Sequence, residues 1–217
     1  MTEKQTKSPQ ARFQEIGFST KAVMGALVVI ATLFSVGLGF VAFGLFLYLH
    51  LLLQIKHRPP LGAKGDIAAP VDGVIHNITK HENSIIIEIR ADKAGSQVFY
   101  APLTARLDDK LFIDGVYLPL HDEAAQPLNA RFDLLFQTTD MPDDKAGQIT
   151  MSVIGSQWSR LTQIPFMEGQ MIEAGEPFGF SLFQSCIILQ LPPDYKIMVM
   201  PKTHCLANQT IIAKSAI

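Results

Sequence analysis

Among its 217 residues the chain has two cysteines, Cys186 and Cys205, and one tryptophan, Trp158. Two cysteines cannot build a disulfide framework. With no Cys-x-x-Cys pair and no clustered histidines, the sequence offers no metal site. Both cysteines are expected to be small buried hydrophobes. No charge of either sign dominates: the formal net charge is -2. No basic stripe interleaved with aromatics is present, which removes the electrostatic footprint of a nucleic-acid binder. Beyond residue 60 no apolar run keeps a 3.6-residue period for long, so helices there should be few and short.

The largest absence is local. From Ala22 to Ile55 there is no Asp, Glu, Lys or Arg, over about 34 residues. A single membrane span needs ~20 residues. As one straight helix this run would be roughly 50 Å long, against a hydrocarbon core of about 30 Å. Two forms fit: a single tilted helix with an extended end, or a helical hairpin broken near Ser35-Val36-Gly37-Leu38-Gly39. Lys4, Lys7, Arg12 and Lys21 precede the run, and Lys56 and Arg58 follow it. Basic residues stay on the cytoplasmic side, so both ends are expected there. Arms of about 15 residues are short for full crossings, which favours a re-entrant hairpin. The run is too long for the apolar part of a signal peptide, and no small-residue cleavage site follows it. Pro59-Pro60 ends the helix. The expected organisation is a polar arm over 1–21, a membrane helix or hairpin over 22–55, and one β domain over 56–217. Trp158, with Arg160, is placed either at the membrane interface or in the core.

The β domain is read from apolar and β-branched runs bounded by Gly, Pro and Asp turns. These are Gly73–Ile78, Ser84–Ile89, Gln148–Ile154, Cys186–Leu191 and Tyr195–Met200. The apolar Thr210-Ile211-Ile212-Ala213 reads either as a last strand or as a docking peptide. Ala69-Pro70-Val71-Asp72-Gly73-Val74-Ile75 resembles the opening of barrel-sandwich domains, and Glu168–Phe178 resembles their hammerhead, with a glycine at each tight turn. The lysine that biotin and lipoate carriers modify has no counterpart here.

Together these phrases resemble the short bacterial phosphatidylserine decarboxylases. Lys56-His57-Arg58-Pro59-Pro60 follows the membrane run as the family's basic phrase does. Ala69-Pro70-Val71-Asp72-Gly73 resembles its S-P-A-D-G phrase, Pro127-Leu128-Asn129-Ala130 its L-N-A phrase, and Met151–Gly155 its V-x-I-A-G strand. The strongest match runs from Gly169 to Pro192, where Gly169, Gly175, Glu176, Phe178, Gly179, Phe183, Ser185, Leu191 and Pro192 fall in register. The resemblance implies a bacterial inner-membrane protein with its domain on the cytoplasmic side, in a mainly β, barrel-sandwich-hybrid-like fold. In this family a serine hydroxyl attacks the preceding carbonyl, the chain splits, and a pyruvoyl group is left on the new N-terminus.

Residue by residue, Ser185 matches the serine that becomes pyruvoyl, and Asp72 matches the aspartate that helps activate self-cleavage. The family has Gly before its serine; this chain has Gln184, which adds bulk where glycine allows strained torsions. The family's F-D-V-H-V-N-R phrase falls on Leu103–Asp109, with Arg106 in place of its His. Arginine stays protonated and cannot serve as acid or base near neutral pH. Arg106 is instead read as a lipid-phosphate site or a solvated surface residue. His121, in Leu120-His121-Asp122-Glu123, is the possible substitute acid; His76, His81 and His204 read as ordinary solvated histidines.

The residues favour a membrane-anchored member of this kind that is degenerate in catalysis and acts as a scaffold or accessory subunit. The alternative is an active pyruvoyl-dependent carboxy-lyase that makes phosphatidylethanolamine after self-cleavage at Gln184–Ser185. A third reading is a barrel-sandwich adaptor that shares only the fold. The expected partners are membrane phospholipid, other membrane subunits or a second copy of the chain, and no nucleic acid. The only prosthetic group implied is a pyruvoyl derived from Ser185 in a processed chain, and no other cofactor or metal is expected.

Overall fold

A computed structural model describes residues 9–34, 36–56, 58–93, 96–122, 124–138, 147–156 and 162–215. Lys4, Lys7, Ser35, His57, Glu123, Trp158 and Arg160 lie outside the described residues. Two helices, α1 (Pro9–Phe34) and α2 (Val36–Leu52), pack on one another; α1 starts inside the expected polar arm, with Arg12, Glu15 and Lys21, and the uncharged run supplies the rest of α1 and all of α2. A Cβ placed on Gly39 would lie 2.5 Å from Thr32 Oγ1. Residues seven apart cannot meet that way along one helix, so the chain reverses between α1 and α2. The expected break through Gly37 and Gly39 is therefore narrower: both glycines sit inside α2, and Gly39 serves close helix approach. Among the described residues, no helix is long and apolar enough to cross a membrane. Val29, Leu33, Phe34, Phe40, Val41 and Leu51 are all more than half exposed, so the hairpin shows apolar surface on nearly every side.

The rest is mainly β, as expected. Central to it is an eight-stranded antiparallel sheet built from β2 (Gly73–Lys80), β3 (Ile85–Ala91), β5 (Ala105–Ile113), β6 (Arg131–Thr138), β7 (Gln148–Gly155), β8 (Met171–Ile172), β10 (Ser185–Leu191) and β12 (His204–Cys205). Its order is β12-β2-β3-β10-β7-β6-β5-β8. A three-stranded sheet joins β1 (Ile67–Ala68), β13 (Ile211–Ser215) and β11 (Tyr195–Ile197), and β4 (Val98–Tyr100) pairs with β9 (Pro177–Phe180). The apolar run at 210–213 therefore pairs as a strand rather than standing as a free peptide. One short helix, α3 (Ala125–Leu128), precedes β6.

β3 and β10 are near-continuous apolar runs because both lie in the middle of the large sheet. Their core faces carry Ile85, Ile87 and Ile89, and Ile187, Leu189 and Leu191. Phe178 anchors the aromatic centre, its ring 6.3 Å from both Phe99 and Phe136 and 6.5 Å from Phe166. Full burial of each such side chain contributes about 1.5–3 kcal/mol. Cys186 and Cys205 are buried free thiols. The hammerhead turns are formed as expected, with Gly169 at φ +79° and Gly175 at φ +80°.

Candidate active site

Register brings the self-cleavage segment to one end of the large sheet. Ser185 opens β10, opposite Gly155 at the end of β7. On its other side Cys186 pairs with Arg90, which sets Ser185 beside Ala91 at the end of β3. Alternation along β10 turns Ser185 to the side of Ile187 and Leu189, and it is fully buried. Its hydroxyl has no hydrogen-bond partner among the described residues. Gln184 is held by its side chain: Nε2 donates to the Ala91 carbonyl at 3.0 Å.

A cavity of about 590 Å³ opens on the Gln184 side of the Gln184–Ser185 bond, lined by Tyr48, Arg90, Lys93, Pro119, Leu120, His121, Ser156, Leu182, Phe183 and Gln184, while Ser185 itself faces the core. Its charged wall is basic. Arg90 is only partly offset by Glu88, whose Oε1 lies 3.1 Å from Arg90 Nε. Tyr48 carries α2 to the cavity rim, so the apolar hairpin and the candidate cleavage bond share one site. His121 reaches the cavity from a loop that Asn129 fixes. Asn129 is buried; its Nδ2 donates to Leu118 O at 2.8 Å and to Gly155 O at 2.7 Å, and its Oδ1 accepts from Leu118 N at 2.7 Å. That side chain ties the His121 loop to the strand end facing Ser185. The L-N-A likeness marked Asn129, but nothing in the sequence gave it this task.

Asp72 lies at the same end of the sheet. It precedes β2, two strand spacings from β10, about 10 Å across β3. Oδ2 accepts from Lys56 Nζ at 2.8 Å and from Arg58 Nη2 at 3.2 Å; Oδ1 accepts from Arg58 Nη1 and, at 2.9 Å, from the Ala207 amide. Burial works against ionisation, but Arg58, Lys56 and the Ala207 amide outweigh it and hold the carboxyl below its ordinary range.

Arg106 is elsewhere. It lies on β5 opposite Gln137, at the far end of β6, while the cavity end of β6 is Arg131, which pairs with Ile154. Six residues of strand, about 20 Å, separate those ends. Half exposed, Arg106 pairs with Asp108 at 2.7 Å. The structure thus groups Ser185, Gln184, Asp72 and His121 at one end and leaves Arg106 out. His76, His81 and His204 are exposed.

Comparison with known proteins gives the family. The phosphatidylserine decarboxylase family model matches residues 51–213. The chain belongs to that family. Similar proteins include the phosphatidylserine decarboxylase proenzyme of Symbiobacterium thermophilum, 23% identical over 205 residues that cover 91% of this chain and 93% of the relative. That of Prosthecochloris aestuarii is 24% identical over 163 residues, 72% of each chain. That of Azorhizobium caulinodans is 25% identical over 203 residues, 86% of this chain and 84% of the relative. No solved structure matches the chain.

Proposed function

We propose that this chain is a membrane-associated phosphatidylserine decarboxylase that makes its own pyruvoyl group by self-cleavage between Gln184 and Ser185. The observation that carries the reading is the Ser185 hydroxyl, buried and without a hydrogen-bond partner among the described residues, at the start of a central strand. Leaving such a group unsatisfied costs about 1–3 kcal/mol. No described group holds this hydroxyl away from the adjoining Gln184 carbonyl, which leaves it free to attack. The relatives' name, proenzyme, supports the same reading.

In this reading Ser185 Oγ bonds to the Gln184 carbonyl carbon. The amide C–N bond breaks, and the hydroxyl proton passes to the nitrogen. Loss of the Ser185 Cα proton then expels the Gln184 carboxylate and splits the chain. Water displaces the nitrogen as ammonia and leaves a pyruvoyl group on residue 186. That group supplies an electrophilic carbonyl that accepts electrons as carbon dioxide leaves an amino acid head group. Arg90 and Lys93 hold the anionic head group, and His121 is the titratable group in the same wall that can move a proton. Gln184 is kept in place by the Ala91 carbonyl. The apolar hairpin sits in the cytoplasmic membrane as a re-entrant element, with the β domain on the cytoplasmic side, and Tyr48 brings it to the cavity. The hammerhead turns support a barrel-sandwich relationship for the β domain.

A second reading, a catalytically degenerate scaffold, is favoured by one observation: Arg106 replaces the family's histidine and lies away from the cavity. Activity decides between them. Wild type in phosphatidylserine vesicles is expected to release carbon dioxide and form phosphatidylethanolamine in equal amounts, and Ser185→Ala none. Folded wild type that gives no product sinks the enzymatic reading.

A further inference from the structure

The segment between α2 and the β domain is laced down along its length. Ser96 Oγ donates to Gln54 O at 3.0 Å. The Lys56 amide donates to Tyr100 Oη at 2.8 Å, and Tyr100 returns a bond to Lys56 O at 3.2 Å. Asn208 Nδ2 donates to Arg58 O at 3.3 Å, and Gln209 Nε2 to Pro59 O at 2.9 Å. At the near end of this strap Leu53 is buried in a cluster with Phe180 and Leu182, the residues that lead into Gln184. The strap therefore joins the apolar hairpin to the segment that holds the candidate scissile bond. Its two cations, Lys56 and Arg58, close on one buried anion, Asp72.

The resemblance gives Asp72 a part in activating self-cleavage, but its surroundings do not suit a proton acceptor. A carboxylate has about four acceptor sites. Four donors already occupy them, none from β10. The same donors hold it ionised, which makes it a weak base.

We propose that Asp72 is a positioning residue: it fastens the strap between the helical hairpin and the cleavage segment, and self-cleavage depends on it only through that fastening. The cleavage arm of the test rests on the processing reading above; the strap arm does not. The variants are Asp72→Asn, the pair Lys56→Met with Arg58→Met, and all three together, each in detergent-solubilised full-length protein shown by circular dichroism to be folded. The first readout is the rate at which freshly made chain splits at 184/185. The second is limited trypsin digestion after Lys56 in wild type and Asp72→Asn, since the Arg58–Pro59 bond resists trypsin.

Asp72→Asn and the Met pair are each expected to slow splitting at least tenfold, with the triple variant no slower than the worse of them. Trypsin should cut after Lys56 at least tenfold faster in Asp72→Asn than in wild type. The proposal is overturned if the Met pair splits at the wild-type rate while Asp72→Asn does not, the pattern of a proton acceptor. It is equally overturned if Asp72→Asn leaves the Lys56 site as protected as before. A wild type that never splits counts against the functional proposal; the strap assignment then stands or falls on the trypsin rates alone.

Discussion

Gly73 is the position where one added methyl should do most harm. It pairs with Ala91 where β2 meets β3, and a Cβ built there would lie 2.2 Å from the Arg90 carbonyl oxygen and 3.1 Å from Ala91 Cα. Both obstacles are backbone, so no side chain can swing away. Real Cβ contacts stay beyond 3.0 Å, so the strands must part by roughly 0.8 Å. That opens the Gly73–Ala91 pair and the bond from the Asp92 amide to Asp72 O, now 3.0 Å. Each bond contributes about 0.5–1.5 kcal/mol, and overpacking adds a strain of about 1–3 kcal/mol. Gly73→Ala should therefore destabilise the domain by about 2–4 kcal/mol. Gly44, in α2, has open space where its Cβ would go. There the same substitution should stabilise the helix by about 0.5–1 kcal/mol. Urea unfolding by circular dichroism in detergent measures both, on a Ser185→Ala background that keeps every sample a single chain. A cost at Gly73 below about 1 kcal/mol would refute the β2–β3 register, and with it the placement of Asp72.

Asn129→Ala should cost about 2–4 kcal/mol in the same assay, because it strips the partners from the buried Gly155 carbonyl and from the half-buried backbone of Leu118. Arg106→Ala should leave stability within about 0.5 kcal/mol and decarboxylation unchanged; a loss of activity would return Arg106 to the site. Asp72 has a lowered carboxyl pKa in the folded state. Its contribution is thus complete above the unfolded-state value, about 3.9, and is lost as pH falls through the folded value. Between pH 5 and 2 the parent should lose stability faster than Asp72→Asn, and parallel curves would contradict the ion-paired geometry.

Much of this fold is legible in the residues. The five apolar runs became β2, β3, β7, β10 and a shortened β11, because each puts apolar side chains on the core-facing side of its strand. β5 and β6 escaped. Ala105–Ile113 alternates poorly, carrying Arg106, Asp108, Asp109 and Lys110, and it bulges between Leu107 and Asp109, which breaks the period of two. Lys110 hides its charge by donating to the Ile164 and Phe166 carbonyls, a contact no local pattern announces. The uncharged run marked α2 and the second half of α1, but not that α1 starts at Pro9 or that the chain reverses between Phe34 and Val36. At the site, Ser185, Gln184, Asp72 and His121 could be picked from motifs, yet their grouping depends on strand order. The cations that claim Asp72 are near in sequence, while the Ala207 amide that completes its shell is 135 residues away. Sequence spacing likewise could not say that Arg106 sits at the wrong end of β5.

The most direct measurement is the intact mass of the purified protein under denaturing conditions, beside that of Ser185→Ala. Two chains, residues 1–184 and a pyruvoyl-blocked fragment of residues 185–217, with Ser185→Ala a single chain, are the result this account predicts. A single full-length chain in both samples would contradict it, and Ser185 would then be a buried serine in the strand of an unprocessed family member.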